Sequence, residues 1–99
     1  MTLRLHVKPD ARADLEAAVD WYENEEPGVG LRLLDEVDAV LPRVAQSPLQ
    51  FPIVHKNIRR ALLRRFPYGI FFVFEDDTVS ILAITHLSRD PSVWMSRQT

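Results

Sequence analysis

The sequence predicts an α+β fold in the order β-α-α-β-β-β-α: an N-terminal helical hairpin packed on a mainly antiparallel sheet, closed by a short C-terminal helix. Three observations carry this reading. Apolar residues recur at helical spacing through two stretches of the first half. In the second half they alternate or run together over three short stretches. The breaks between these stretches hold Pro, Gly and Asp, the residues that turns demand. Helices early and strands late define the α+β class, with the hairpin covering one sheet face.

The elements follow in order. Thr2–Lys8 alternates strictly, with Leu3, Leu5 and Val7 facing one way and Arg4, His6 and Lys8 the other, as in a half-buried strand. After Pro9, Asp10 is a suitable N-cap. The helix behind it carries Ala11, Leu15, Ala18, Val19 and Tyr22 on one face, with Asp14, Glu16, Asp20 and Glu23 on the remainder. Pro27-Gly28 ends it. A second helix is predicted from Gly30 to Ala45, striped by Leu34, Val37, Leu41 and Val44. Pro42 within it predicts a kink or an early stop, because its ring clashes with the Asp38 carbonyl. Ser47–Asn57 reads as a Pro-containing connection. Three strands follow at Ile58–Phe66, Ile70–Glu75 and Thr78–His86, turning at Pro67-Tyr68-Gly69 and Asp76-Asp77 into an antiparallel meander. Asp90-Pro91 then reads as N-cap and first residue of a helix at Ser92–Arg97. The position of the first strand in the sheet is not encoded in this pattern.

Ninety-nine residues, 46% of them hydrophobic, suit one domain over 1–99. Cysteine is absent, so disulfides, thiolate metal sites and Cys nucleophiles are excluded. His6, His55 and His86 do not stand at ligand spacing with carboxylates, and three scattered glycines make no phosphate loop, so neither metal nor cofactor is expected. The N-terminus lacks the apolar core of a signal peptide, and no stretch approaches the ~20 apolar residues of a membrane span. A cytoplasmic protein with no membrane partner is expected. The net charge of -2 hides an asymmetry. Residues 1–50 hold five Lys/Arg and ten Asp/Glu; residues 51–99 hold seven and four, and no acid falls between Asp38 and Glu75. The basic segment His55–Arg65 reads either as a solvated strand edge or as an interaction surface.

Ala11-x-x-Asp14-Leu15, Trp21-Tyr22-Glu23, Pro27-Gly28-x-Gly30, Ser47-Pro48 with Phe51-Pro52, Ile58-Arg59, Arg65-Phe66-Pro67-Tyr68 and His86-x-x-Arg89-x-Pro91-x-x-Trp94-x-x-Arg97 follow one another over residues 3–97. As an ordered set they resemble the ParE/RelE toxin superfamily of type II toxin–antitoxin systems, and within it the ParE-like, plasmid-stabilisation branch. The resemblance implies a growth-inhibiting toxin and a cognate antitoxin that wraps it with a segment folding on binding. Two activities occur in that superfamily: RelE-like members cut messenger RNA at the ribosome, and ParE-like members poison DNA gyrase.

Metal-free RNA cleavage needs a base for the 2′-OH, cations for the phosphorane and an acid for the leaving oxygen. Cations are plentiful here, at Arg59, Arg60, Arg64, Arg65, Arg89 and Arg97, whereas the acid–base candidates are His55 and His86. Ribonuclease members often carry an Arg where Gly69 stands and a Tyr in the neighbourhood of Trp94 and Met95. The net negative charge also suits a phosphate-seeking ribosomal nuclease poorly. These residues favour a target binder that does no chemistry, and the resemblance to the ParE-like branch implies DNA gyrase as that target. Arg59, Arg65, Arg89, Trp94 and Arg97 are its candidate target-binding residues, since Trp and Arg dominate hot spots and Arg97 follows Trp94 by three helical positions. The alternatives are a ribosome-dependent messenger endoribonuclease using His86, Arg89 and Arg65, or an inactive family member.

His86 reads either as a hydrogen-bonded histidine tying the last helix to the sheet or as a functional group. Arg59 and Arg65 share one strand face and Arg60 and Arg64 the other, so one pair is expected to salt-bridge the acidic first helix. Tyr22 and the phenylalanines read as core. Phe71 faces opposite to Phe72 and Phe74, so the second sheet face needs the terminal helix or the antitoxin to cover it. Trp21 lies off the centre of its helix stripe and reads either as cover for the hairpin seam or as an antitoxin contact, so Trp21 and Phe71 are the candidate antitoxin-binding residues.

Overall fold

A computed structural model describes residues 4–98; Thr2 and Leu3 of the expected first strand lie outside them. The chain runs β1 (Arg4–Val7), α1 (Pro9–Glu25), α2 (Val29–Gln46), a 3-10 turn (Pro48–Gln50), β2 (Ile53–His55), β3 (Ile58–Leu62), β4 (Tyr68–Glu75), β5 (Thr78–His86) and α3 (Ser92–Met95). The predicted order holds, with one strand added. β2 spans only three residues and follows Pro52, so it is too short to show a period, and Pro is tolerated there because β2 is an edge strand.

The five strands lie in the order β1-β5-β4-β3-β2. β1 pairs parallel to β5, from Arg4↔Thr78 to Val7↔Ile81, and every other pairing is antiparallel. The helical hairpin carries the chain from one sheet edge to the other. As an edge strand β1 is poorly covered: Leu5 is exposed and only Val7 packs on the core. The β4–β5 hairpin turns on Asp76 and Asp77, both at positive φ (52° and 58°), a conformation that Asp tolerates and that two-residue hairpins favour.

Helix α1 starts one residue before the expected cap. Pro9 occupies its first turn, where the fixed φ fits and no N–H is missed, and Asp10 sits at the positive helix end. At the hairpin corner Glu23 accepts hydrogen bonds from the Gly28 N–H (2.9 Å) and the Leu31 N–H (3.1 Å), capping α2 from the preceding helix. Those donors, Gly28 first and then Leu31, hold the Glu23 carboxyl below its ordinary pKa. Gly28 adopts φ +95°. Gly30 is the point of closest helix approach: a Cβ there would stand 2.4 Å from the Val19 carbonyl oxygen and 2.6 Å from Glu23 Cγ. Gly30→Ala is therefore expected to cost ~2 kcal/mol, because the clash is with backbone and outweighs the better helix propensity of Ala. Thermal denaturation should show a Tm lower by ~8–16 °C; a raised Tm would contradict the close approach.

Helix α2 buries Leu33, Val37, Val40 and Val44, so the stripe centres on Leu33 and Val40 rather than on the half-buried Leu34 and Leu41. Both rows are apolar, and packing chose between them. Pro42 does not stop the helix, which runs on to Gln46. Asp38 and Pro42 are both exposed, so the carbonyl that loses its bond is open to water.

The helices pack Ala11, Ala18, Leu33, Val37, Val40 and Val44 onto Ala61, Ile70, Phe72, Val79, Ile81 and Ile84 of the sheet. On the other face Ile58, Phe71, Val73, Leu82 and Ala83 lie under Trp94 of α3. Strand β3 ends at Leu62, four residues before the expected Phe66, because the Arg64 and Arg65 N–H groups turn to the Glu36 carboxylate of α2. Strand β4 begins at Tyr68. Helix α3 is one turn ending at Met95, so Arg97 lies beyond it; Asp90 accepts the Ser92 N–H (2.9 Å) at its start. Among the described residues no helix is long and apolar enough to cross a membrane.

Candidate functional site

Past the end of β1 the outer edge of β5 would be unpaired. A bulge aggravates this: Phe71 pairs with Ala83 and Phe72 with Ile81, leaving Leu82 as an extra residue. Two side chains complete the edge. Asp14 of α1 accepts the Ile84 N–H (3.1 Å), and Arg97 Nη1 donates to the Leu82 carbonyl (3.2 Å). They also bind each other in two places, Nη1 to Oδ2 at 2.5 Å and Nη2 to Oδ1 at 3.2 Å. The Asp14 side chain is 8% exposed and that of Arg97 19%. The hydrogen bond to Asp14 raises the Arg97 pKa further above its ordinary value, against the opposing effect of burial. Arg97 Nε also lies 3.9 Å from Asp10.

Above this pair is a cleft of about 330 Å³ between α1 and the end of β5. Ala13 and Ala17 form a smooth wall on α1, and Trp21 continues their row at helical spacing. Tyr68, His86 and Arg89 face them. Trp21 is 57% exposed and meets the Tyr22 ring edge-on at 5.0 Å. Tyr68 meets His86 edge-on at 5.3 Å. Burial, and then the neighbouring Tyr22, raise the Tyr68 pKa and keep the phenol protonated. Arg89 is half exposed, with Nη1 4.0 Å from Asp14 Oδ1.

The chemistry open to this cleft follows from where its lone pairs point. His86 Nδ1 accepts the Ser88 N–H (3.0 Å) and lies 2.8 Å from the Ser88 hydroxyl. Nδ1 is thus the acceptor, and Nε2 carries the proton of the neutral ring. Asp14 brings a carboxylate into a region where the sequence suggests none, since the apolar spacing of α1 sets it apart from the Ala11–Tyr22 face. Yet both its oxygens are bonded to Arg97, and one also takes the Ile84 N–H. The cleft therefore offers an aromatic surface and N–H and O–H donors, with its acid and imidazole acceptor already committed. Among the described residues no group of three or more His, Asp or Glu gathers as a metal site.

Other sequence-selected residues fall elsewhere. Trp94 is not an exposed anchor: it is 8% exposed and stacks on Phe71 with centroids 4.3 Å apart and planes 14° apart. Phe71, 2% exposed under that ring, offers no surface to an antitoxin. Of the two covers anticipated for that face, α3 provides it. Arg97 is spent on Asp14, so no Trp94–Arg89–Arg97 patch forms. Arg59 donates to the Phe51 carbonyl at 2.7 Å, holding the 3-10 segment against β3. Arg65 lines a different groove, with α2, so it does not join His86 and Arg89. No β3 arginine forms an ion pair with α1 among the described residues; the cations that do are Arg89 and Arg97. Gly69 is closely packed, a Cβ there lying 3.1 Å from the Phe71 ring and 3.2 Å from Leu87. A larger side chain would have to displace one of them. Asp14 was missed although its signal was present: it sits three residues after Ala11 and four before Ala18, on the buried stripe, where a carboxylate needs a partner.

The helical hairpin on a five-stranded sheet with a parallel first strand has counterparts among solved chains of toxin–antitoxin systems. The structure matches a solved chain of the chromosomal ParDE toxin–antitoxin system of P. aeruginosa with a TM-score of 0.79, at 23% identity over 88% of this chain and 98% of that one. It matches one from the RelBE2 toxin–antitoxin complex of Mycobacterium tuberculosis at 0.59, with 21% identity over 87% of this chain and 99% of that one. Those likenesses establish the fold. In sequence, residues 5–91 match the family model for the ParE toxin of the type II toxin–antitoxin system parDE. Toxin ParE2 of Mycobacterium tuberculosis is 34% identical over 93 residues, covering 93% of this chain and 89% of that protein. The chain belongs to the ParE toxin family.

Proposed function

We propose that this ParE-family chain inhibits growth by gripping its target through the Trp21–Tyr68–His86–Arg89 cleft, and that a cognate antitoxin neutralises it. DNA gyrase in the cytoplasm is the target, a reading that rests on the resemblance to gyrase-poisoning ParE toxins. One observation about the cleft supports binding over cleavage: the Asp14 oxygens and the His86 Nδ1 lone pair are already engaged inside the protein. Donors and an aromatic face remain, and these suit the capture of an acceptor-rich surface.

Messenger RNA cleavage at the ribosome is the second reading, because His86 and Arg89 do share one cleft with Asp14. Induction without antitoxin separates the two. A gyrase binder should trap cleaved gyrase–DNA complexes and trigger the DNA-damage response while transcripts stay intact. Trp21→Ala and Arg89→Ala, both at exposed positions, should weaken gyrase capture by about 30-fold or more with stability within ~0.5 kcal/mol of the parent. Transcript degradation within minutes of induction, abolished by His86→Ala, would establish the nuclease instead.

A further inference from the structure

The cleft between α1 and the end of β5 holds two side-chain donors that its own acids do not use. Arg89 is half exposed, and its nearest carboxylate, Asp14, stands 4.0 Å away, beyond hydrogen-bond reach. Asp14 is itself held in two places by Arg97, so its charge is already matched. The Arg89 guanidinium donates no hydrogen bond among the described residues. Nor does His86 Nε2–H, which is directed away from Ser88 because Nδ1 faces it. The two donors are held together by a short turn, in which the Arg89 N–H donates to the His86 carbonyl at 3.1 Å.

The walls decide what kind of anion fits. At about 330 Å³ the cleft lies at the small end of ligand pockets and suits one side chain. Ala13 and Ala17 keep the α1 wall low, and the exposed Trp21 ring extends it, so an aliphatic stem has an apolar surface to lie on. A guanidinium meets a planar carboxylate through two parallel hydrogen bonds. A polyanion is poorly served. Asp10, Asp20 and Glu25 are exposed and stand one helical step from Ala13, Ala17 and Trp21. Phosphates following that row would meet three carboxylates, whereas a single acid opposite it meets Arg89 and His86.

We infer that the cleft is a carboxylate receptor: it takes an aspartate or glutamate side chain of the target protein, held by Arg89 and His86 Nε2–H with its stem against Ala13, Ala17 and Trp21. The identity of that target as gyrase rests on the function proposed above; the chemistry of the cleft does not.

Two arms test this on the whole chain. In the first, glutarate is titrated into the ¹⁵N-labelled protein. The Trp21 indole and Arg89 signals should shift saturably, while the indole of Trp94, buried under α3, stays in place as an internal control. The uncharged diamide glutaramide should bind at least about tenfold more weakly. Arg89→Gln, with thermal unfolding close to the parent's, should abolish the glutarate shifts. In the second arm, gyrase carboxylates are amidated with carbodiimide and glycinamide, alone and in complex with the chain. An acidic residue of gyrase should be protected in the complex. Its replacement by Lys should weaken capture by at least about 100-fold, and Arg89→Glu should restore about tenfold or more of that loss. If glutarate binds as expected and gyrase is not captured, the target reading fails while the carboxylate site stands. If gyrase is captured but glutarate leaves Trp21 and Arg89 unmoved, or glutaramide binds equally well, the carboxylate site is wrong while the target stands. Capture of a single-stranded oligonucleotide that is lost in Arg89→Gln would overturn the assignment to a protein carboxylate.

Discussion

An Asp14→Ala chain is expected to lose ~3 kcal/mol of stability, out of the ~5–15 kcal/mol typical of a domain. The substitution strands a mostly buried Arg97 guanidinium and deprives the Ile84 N–H of its acceptor, so three hydrogen bonds go at once. At this chain length the Tm should fall by ~12–24 °C. Adding Arg97→Met should recover part of the loss, because the uncompensated charge is then gone while the Ile84 N–H and Leu82 carbonyl stay unpaired. Urea denaturation of the two single variants and the double variant measures the coupling. An Asp14→Ala chain within ~0.5 kcal/mol of the parent would show that the pair does not hold α1 and the C-terminal segment to β5. It would also free Asp14 for a role in chemistry.

Trp94→Ala is expected to be comparably severe, at ~3–5 kcal/mol, because it empties the second core and uncovers Phe71. Trp94→Phe should cost much less, since a ring still stacks on Phe71. The distinction bears directly on function: loss of toxicity in Trp94→Ala should follow from unfolding, with Tm and activity falling together. The fluorescence of a Trp21→Phe chain isolates Trp94 and should be that of a buried indole that shifts to the red on unfolding. A Trp94→Ala chain with an unchanged Tm and no target binding would return Trp94 to the list of contact residues.

The candidate site was only partly written in the sequence. Trp21, His86 and Arg89 stand out by residue type, but their meeting with Tyr68 depends on α1 lying against β5. Trp94 and Arg97 drew attention as an exposed hot spot for the same reason of type, and both are structural. A one-turn helix shows no period from which to read which side is buried. Similarly, the unexpected β2 and the early end of β3 reflect contacts with residues far along the chain, such as Glu36 bonding the Arg64 and Arg65 N–H groups.

What the sequence by itself determined is local: the order of helices and strands, the Asp76-Asp77 turn, the hairpin corner at Pro27-Gly28, and the opposite facing of Phe71 and Phe72. Each depends on neighbours within a few positions, where backbone geometry sets periods of 2 and 3.6. The tertiary structure alone decided which edge β1 occupies, that α3 rather than a partner covers Phe71, and that Asp14 is an anchor. Asp14 and Arg97 are 83 positions apart in the chain, and the bond between them exists only after the sheet has brought both ends of the protein to the same strand.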